Sequence, residues 1–254
     1  MNNIPILLYH SISNTGNLYS VKKNEFVKQM EFLQKNDYKS ISLNTFVRKN
    51  KLPENLPTKS VIITFDDGYE DNFTTAMPIL KKYDFTATFF VTTNFINNKK
   101  GMLSSNQISQ LANNGMYIGS HSHNHIFLNN VNQKQLFVEL TQSKIILEDI
   151  TKQPVNHLSL PGGRYNKNVL EAAYNANYKT ICNSNIKLIN INSNKYELGR
   201  IPIKKKMVLA NFIKIIRNDN KFMNKLRFTF LYKKYFRNIL GNRAYDRLWH
   251  LKND

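Results

Sequence analysis

Short apolar runs alternate with longer amphipathic ones along the chain. The run IPILLYH (residues 4–10) is continuous and apolar, the pattern of a strand buried on both faces. In EFVKQMEFLQKN (25–36), Phe26, Met30 and Leu33 share one helical face, and Asn24 is placed to cap it. YKSISL (38–43) then reads as a strand and TFVRKN (45–50) as a short helix before the proline-bearing loop LPENLPTK (52–59). SVIITF (60–65) is a strand, NFTTAMPILKKY (72–83) a helix, and TATFFVT (86–92) a β-prone segment. Ser104 or Ser105 can start a helix over NQISQLANN that Gly115 ends. MYIGSH (116–121) is strand-like, and Gln133 to Thr151 forms a long amphipathic helix. HLSLPGG (157–163) is a strand running into a turn, followed by a helix over NVLEAAYNAN, a strand at KTICN and a last strand at ELGRIPI.

Strands alternating with helices predict a mostly parallel sheet with right-handed crossovers. Seven or eight strands within the first 203 residues suit a closed or nearly closed (β/α) barrel. Such barrels gather reactive groups at the C-terminal ends of their strands. His10, the pair Asp66 and Asp67, the cluster His121–His125 and the turn Pro161-Gly162-Gly163 all follow strand-like runs, so all four fall at that end.

Composition adds charge to this picture. Apolar residues at 41% and charged residues at 21% are ordinary for a globular chain of 254 residues, but 36 Lys and Arg against 17 Asp and Glu give a net +19. From Ile201 to Asp254 there are 14 basic and 3 acidic residues, so +11 of that charge lies in the last 54 positions. The basic stretch there, interleaved with Phe, Leu, Tyr and the single Trp249, predicts a helical extension at 216–254 after a domain at 1–215. Such a helix suits an anionic membrane surface, or packs with a solvated basic side. A nucleic-acid role is supported by charge alone, with no accompanying motif. The single Cys182 excludes an internal disulfide and a thiolate zinc cluster. No apolar run reaches the roughly 18–20 residues of a membrane helix, and the N-terminus lacks a basic leader, so the expected location is cytoplasmic, at most peripheral at the membrane's inner face.

Two clusters carry candidate chemistry. Asp66 and Asp67 are adjacent carboxylates at the end of an apolar strand, a costly placement unless something offsets their charge. Alone, Asp-Asp-Gly is most often a turn or cap. HSHNH holds three of the chain's six histidines, and its H-x-x-x-H spacing lets His121 and His125 converge on one ion. Asp67 is the natural third ligand, leaving positions open for water and substrate. A divalent cation would neutralise one carboxylate and make the second tolerable beside it.

TFDDG (64–68), HSHNH (121–125) and PGGRYN (161–166) together resemble the signatures of the polysaccharide deacetylases, the NodB-homology enzymes of carbohydrate esterase family 4. The resemblance spans roughly residues 4–203. It implies a distorted (β/α) barrel that removes N-acetyl groups from an N-acetylated glycan with a divalent metal, zinc first and cobalt, nickel or manganese as alternatives. Asp67, His121 and His125 would then be the ligands, Asp66 the general base, and the Pro161-Gly162-Gly163 turn an oxyanion and substrate loop. Two departures stand out. Ser159 occupies the place where most members carry an Arg, and no late Leu-x-Leu-x-His segment supplies an acid. The start ILLYHSIS resembles the permuted poly-N-acetylglucosamine deacetylase branch, whose early histidine is the acid, and this points to His10. Arg200 in ELGRIPI is the candidate to replace the missing arginine and orient Asp66. A non-catalytic carbohydrate-binding or scaffold protein with the same barrel is the alternative. His123, on an extended segment, is expected to point away from its neighbours, and His157 to be structural.

Overall fold

The computed structural model describes residues 3–47, 57–232 and 235. Eight strands form one sheet: β1 (Ile6–Tyr9), β2 (Lys39–Ser40), β3 (Ser60–Phe65), β4 (Thr88–Val91), β5 (Tyr117–Ser120), β6 (His157–Ser159), β7 (Thr180–Cys182) and β8 (Ile201–Pro202). Their order is β7-β6-β5-β4-β3-β1-β8, every pairing is parallel, and β2 pairs with the first half of β3. The helices α1 (Lys23–Lys35), α2 (Leu43–Val47), α3 (Met77–Lys82), α4 (Ser105–Asn113), α5 (Gln133–Thr151) and α6 (Lys167–Asn175) follow the strands in turn.

The segment from Leu198 to Ile203 joins the two sheet edges. Leu198 bridges Cys182 of β7, while Ile201 and Pro202 pair with Leu7 and Leu8 of β1. The Ile203 amide continues the contact by donating to the Leu8 carbonyl at 2.8 Å. One stave thus touches both edges, and the sheet curls into the distorted barrel expected from the sequence.

Strand alternation sorts the core. On β1 and β3, Tyr9 and Phe65 stack at 5.3 Å and both pack on Phe26 of α1, sealing the layer between sheet and helices. Thr64, one residue before Phe65, faces the other way and meets Arg200 inside the barrel. Asp66 follows with the same sense, so its carboxylate enters the barrel's C-terminal mouth.

Several predicted boundaries move for local reasons. Asn24 does not cap α1; that helix starts at Lys23 after Lys22, and Asn24 Oδ1 accepts only from the next amide, Glu25, at 2.8 Å. YKSISL keeps only Lys39–Ser40 as strand, because β4 takes the same side of β3 from Thr64 onward. NFTTAMPILKKY opens as a π-helical turn at Asn72–Ala76 before α3, whose first turn contains Pro78, a residue with no amide hydrogen to give. Ser104 caps α4 in a reciprocal box with Gln107.

Contacts divide the chain into two units, Met1–Met207 and Val208–Asp254. The second holds α7 (Leu209–Ile216) and a helical stretch at 220–232. Phe212, Ile215, Ile216 and Met223 are buried, whereas Phe228, Leu231, Tyr232 and Tyr235 are exposed. Positions 236–254 of the predicted extension, including Trp249 and His250, lie outside the described residues.

Candidate active site

The chain turns sharply after β3 to bring two neighbouring carboxylates to one place. Successive side chains on an extended strand diverge, but Asp67 adopts a left-handed backbone (φ 74°) and Gly68 follows at φ 82°. Glycine suits that backbone, and a Cβ there would press to 3.0 Å from Val91 Cγ1. His125 is also left-handed, at φ 59°. Such backbone strain in residues with side chains persists where surrounding structure enforces it.

Asp67, His121 and His125 converge. The Asp67 carboxylate lies 3.3 Å from His121 Nε2 and 3.1 Å from His125 Nε2, and one donor atom from each residue falls within 4.8 Å of the others. Donors held at about 2.1 Å from a common ion, at tetrahedral or octahedral angles, sit about 3.0–3.4 Å apart. The two spacings from Asp67 to the imidazoles match. His121 Nδ1 lies 2.9 Å from the Ser159 carbonyl, an oxygen that can only accept. Nδ1 therefore donates to that carbonyl, which leaves Nε2 as the nitrogen turned toward Asp67. This orienting contact is the one a ligating histidine needs. The site fits a divalent cation with an N2O donor set, and it is the one such cluster among the described residues.

Asp66 is held differently. Arg200 grips it with two bonds, Nη1 to Oδ1 and Nη2 to Oδ2, each 2.7 Å. The Ser159 hydroxyl donates to Oδ2 at 2.9 Å and accepts from Arg200 Nη2 at 2.7 Å. Arg200 is completely buried, with its remaining bonds to the Asn183 carbonyl and Thr64 Oγ1. Burial works against the charge on Asp66, but Arg200 and then His121 outweigh it and keep its pKa below the usual carboxylate value. Burial likewise opposes charge on Asp67, and the histidine contacts override it, leaving that carboxyl well below its ordinary range. Ser159 explains the missing arginine: a small residue on β6 leaves room for a guanidinium arriving from the closing stave.

His10 follows β1 and faces Asp67, Asp66, Arg200 and His121 across the mouth. Its Nδ1 is buried and has no hydrogen-bond partner. Burial lowers the ring's pKa, partly offset by the two carboxylates. The backbone around it is tied to the loop after β3: Asn72 Nδ2 donates to the His10 carbonyl at 2.7 Å, and Asp71 accepts from Ser11 Oγ and the Ile12 amide at 2.5 and 3.0 Å. Tyr69, whose phenol faces Asp67, is pushed up to about 12 by burial and then by that charge.

The glycine turn lies at the same end. Gly162 and Gly163 have φ of 63° and 66°, and a Cβ on Gly163 would meet the Ser184 backbone nitrogen at 2.5 Å. Pro161 has no amide hydrogen and the Gly163 amide donates to the Leu160 carbonyl at 2.7 Å, which leaves Gly162 as the turn's candidate oxyanion donor.

His123 turns away and bonds Thr93 through Nδ1 at 2.8 Å. His157 is buried with its nitrogens on Thr180 Oγ1 and Asn44 Oδ1, clear of the site. Sequence reasoning missed Glu139. This buried α5 residue accepts from the His123 and Asn124 amides at 3.0 and 2.8 Å and from Asn124 Nδ2 at 2.7 Å, clamping the HSHNH loop. No signal in the sequence separates it from the solvated acids of an amphipathic helix.

The family model for polysaccharide deacetylase matches residues 54–181. The Bacillus subtilis protein named "Putative polysaccharide deacetylase YxkH" is 37% identical over 179 residues, which are 69% of this chain and 62% of that relative, less than two thirds of its length. A poly-beta-1,6-N-acetyl-D-glucosamine N-deacetylase of Staphylococcus aureus is 28% identical over 210 residues, 78% of this chain and 72% of the relative. Among solved structures, the Streptococcus pyogenes deacetylase PplD in complex with acetate superposes with a TM-score of 0.76 at 30% identity, covering 84% of this chain and 97% of that one. With its motifs assembled at one barrel mouth and a family match over half its length, the chain belongs to the polysaccharide deacetylase family.

Proposed function

We propose that the chain hydrolyses the acetamide of an N-acetylated amino sugar in a surface glycan, with Asp67, His121 and His125 holding a divalent cation, zinc first. The observation that carries this reading is the division of labour between adjacent acids: Asp67 points at two imidazole nitrogens, while Asp66 is oriented by Arg200 beside them. A cation bound there supplies Lewis-acid polarisation of the carbonyl and acidifies water. Asp66, kept ionised by Arg200, accepts the proton of the attacking water. The Gly162 amide donates to the developing oxyanion. His10, whose ring lies near both carboxylates at the mouth, delivers a proton to the departing amine.

Acetate release from N-acetylglucosamine oligomers tests this. Asp66→Asn and His10→Ala should each lower turnover by about 10²–10⁴-fold with metal content unchanged. A wild-type protein that binds metal but releases no acetate from any glycan would instead be the non-catalytic binder.

We also propose that the second unit rests on an anionic lipid surface. Phe228, Leu231, Tyr232 and Tyr235 recur at i, i+3, i+4 and i+7, and are 71, 58, 56 and 63% exposed. Lys221 and Lys225 continue the same side, within a region of net +11. Vesicle flotation with phosphatidylcholine alone, and with added phosphatidylglycerol, tests it. Serine at the four apolar positions should abolish binding to anionic vesicles, and undiminished flotation overturns the idea.

A further inference from the structure

The ladder between β1 and β3 ends where the chemistry begins. Its last rung is the Asp66 amide donating to the Tyr9 carbonyl at 3.0 Å, after which one chain runs on to His10 and the other to Asp67. Side chains then take over the tie. Asn72 Nδ2 donates to the His10 carbonyl at 2.7 Å. Asp71 Oδ2 accepts from Ser11 Oγ at 2.5 Å, and its Oδ1 accepts from the Ile12 amide at 3.0 Å. Asn72 Nδ2 also donates to Asp71 Oδ1 at 3.1 Å, so the two side chains brace each other. Three consecutive residues, His10 to Ile12, are gripped from one point. Just past them, Ser11 and Ser13 bond the Val21 backbone and close the loop whose Tyr19 packs on the His10 ring at 4.8 Å.

Local structure does not account for these bonds. Asp71 directly precedes the π-helical turn at Asn72–Ala76, and an aspartate in that place ordinarily accepts from the first helical amides, a contact worth about 1 kcal/mol. Its side chain makes no such bond and reaches instead to residues 60 and 59 positions earlier. Asn72 is fully buried, and a buried amide side chain is costly unless its hydrogen bonds are made.

We propose that Asp71, braced by Asn72, is a positioning residue for proton delivery by His10, holding that histidine at a set separation from Asp66. This rests on the deacetylase reading and adds to it a residue outside TFDDG, HSHNH and PGGRYN. The loop that carries the base and one candidate ligand also grips the segment that carries the acid, so the two sides of the reaction share one frame. In the reaction, the water oxygen bonds to the acetyl carbon and its proton goes to Asp66. The C–N bond then breaks with its electron pair left on nitrogen, which takes a proton from His10 because an amine anion is too basic to depart. Such transfer demands hydrogen-bond reach, and misplacement by about 1 Å costs on the order of 100-fold. An aryl ester instead expels a phenolate that needs no proton. A fault confined to the acid therefore shows on an acetamide and spares an aryl ester, whereas a fault in metal, base or fold lowers both.

The test measures metal-loaded full-length protein on an N-acetylglucosamine oligomer and on 4-methylumbelliferyl acetate, with metal checked by elemental analysis and fold by circular dichroism. Asp71→Ala should lower kcat on the oligomer about 10–100-fold with KM little changed, and keep ester turnover within about threefold of wild type. Added to His10→Ala it should cost nothing more on the oligomer, because the placement of an absent ring is immaterial. Asp71→Asn should restore most of the loss, its Oδ1 accepting from the Ile12 amide and its Nδ2 donating to the Ser11 hydroxyl. No loss in Asp71→Ala, an equal loss on both substrates, or a loss that multiplies with that of His10→Ala overturns the proposal. Should Asp71→Ala fail to fold, Ser11→Ala removes one donor of the clamp: a smaller loss confined to the oligomer supports the proposal, and no loss or an equal one on both substrates overturns it. A second arm does not depend on turnover. In nitrogen–proton correlation spectra of the histidine rings of zinc-loaded protein, the His10 signals are assigned by their disappearance in His10→Ala. Asp71→Ala should shift or broaden them and Asp71→Asn return them; unmoved signals in Asp71→Ala overturn the proposal. Absence of acetate from every glycan with the wild type would overturn the deacetylase reading alone, because the spectra read the placement of His10 without it.

Discussion

Replacing Arg200 with Met is the sharpest probe of how this site is built. The guanidinium is fully buried and makes two 2.7 Å bonds to Asp66, a third of the same length to Ser159, and longer ones to Thr64 and the Asn183 carbonyl. Methionine fills much of its volume but leaves the Asp66 carboxylate buried without its counter-charge. Breaking a buried pair in this way costs about 3–5 kcal/mol, because the remaining charge keeps its desolvation penalty. For a chain of this length the loss corresponds to a melting point lower by roughly 10 °C. A thermodynamic cycle isolates the cause. Asp66→Asn alone should also destabilise, by stranding the guanidinium. The double variant removes both charges and should cost at least about 2 kcal/mol less than the sum of the two singles. Chemical denaturation monitored by circular dichroism gives all four stabilities, with metal held in excess. Single-variant losses under about 1 kcal/mol, or singles that add within about 0.5 kcal/mol, would refute the view that one buried ion pair organises the site.

Other consequences are open to measurement. Glu139→Ala should weaken metal affinity about 10–100-fold by releasing the HSHNH loop, while Glu139→Gln restores most of it; competition with a chromogenic chelator reads both, and unchanged affinity in the alanine variant contradicts the clamp. Gly163→Ala should cost more than about 2 kcal/mol, since φ is 66° and the new methyl meets the Ser184 backbone; an unaltered melting point would mean that the turn tolerates a side chain. His157 gives a pH test. Burial, with Lys144 adding to it, lowers its pKa from 6.5 to about 3, so the folded state prefers the neutral ring. Its contribution is intact above the unfolded value of 6.5 and declines as pH falls toward 3. Between 6.5 and about pH 4.5 the wild type should lose up to about 2.7 kcal/mol from this group, and His157→Gln should flatten that part of the stability profile. Parallel profiles for the two proteins would show that His157 carries no such penalty.

The parts of the site legible in the sequence are those whose members are neighbours along it. The acids after β3 and the histidines after β5 each declare themselves within five positions, because a strand end must turn there and polar residues crowd the turn. Nothing local in the sequence ties an arginine in ELGRIPI to an acid 134 positions earlier; the closing stave makes that connection. Asp71 and Asn72 tie the loop that carries His10 through contacts to residues some 60 positions earlier, which no local pattern announces. Glu139 was invisible because burial of an acid on an amphipathic helix depends on which loop folds over it. The strands shortened for the same kind of reason, as β2 does where β4 displaces it, a competition between partners that no single segment encodes.

The stave from Leu198 to Ile203 also fixes a sequence of events. The three candidate metal ligands lie between residues 67 and 125, within one contiguous stretch of strands and helices, and a nascent chain carries them all long before the stave is made. Arg200 arrives with the segment that spans β7 and β1, and contacts of such large separation are the ones whose loop-closure entropy is met last. A partly folded molecule is therefore expected to hold a cation before it holds a correctly aimed base. Competence for proton transfer becomes a readout of ring closure, and the same arginine that orients the chemistry certifies that the barrel is complete.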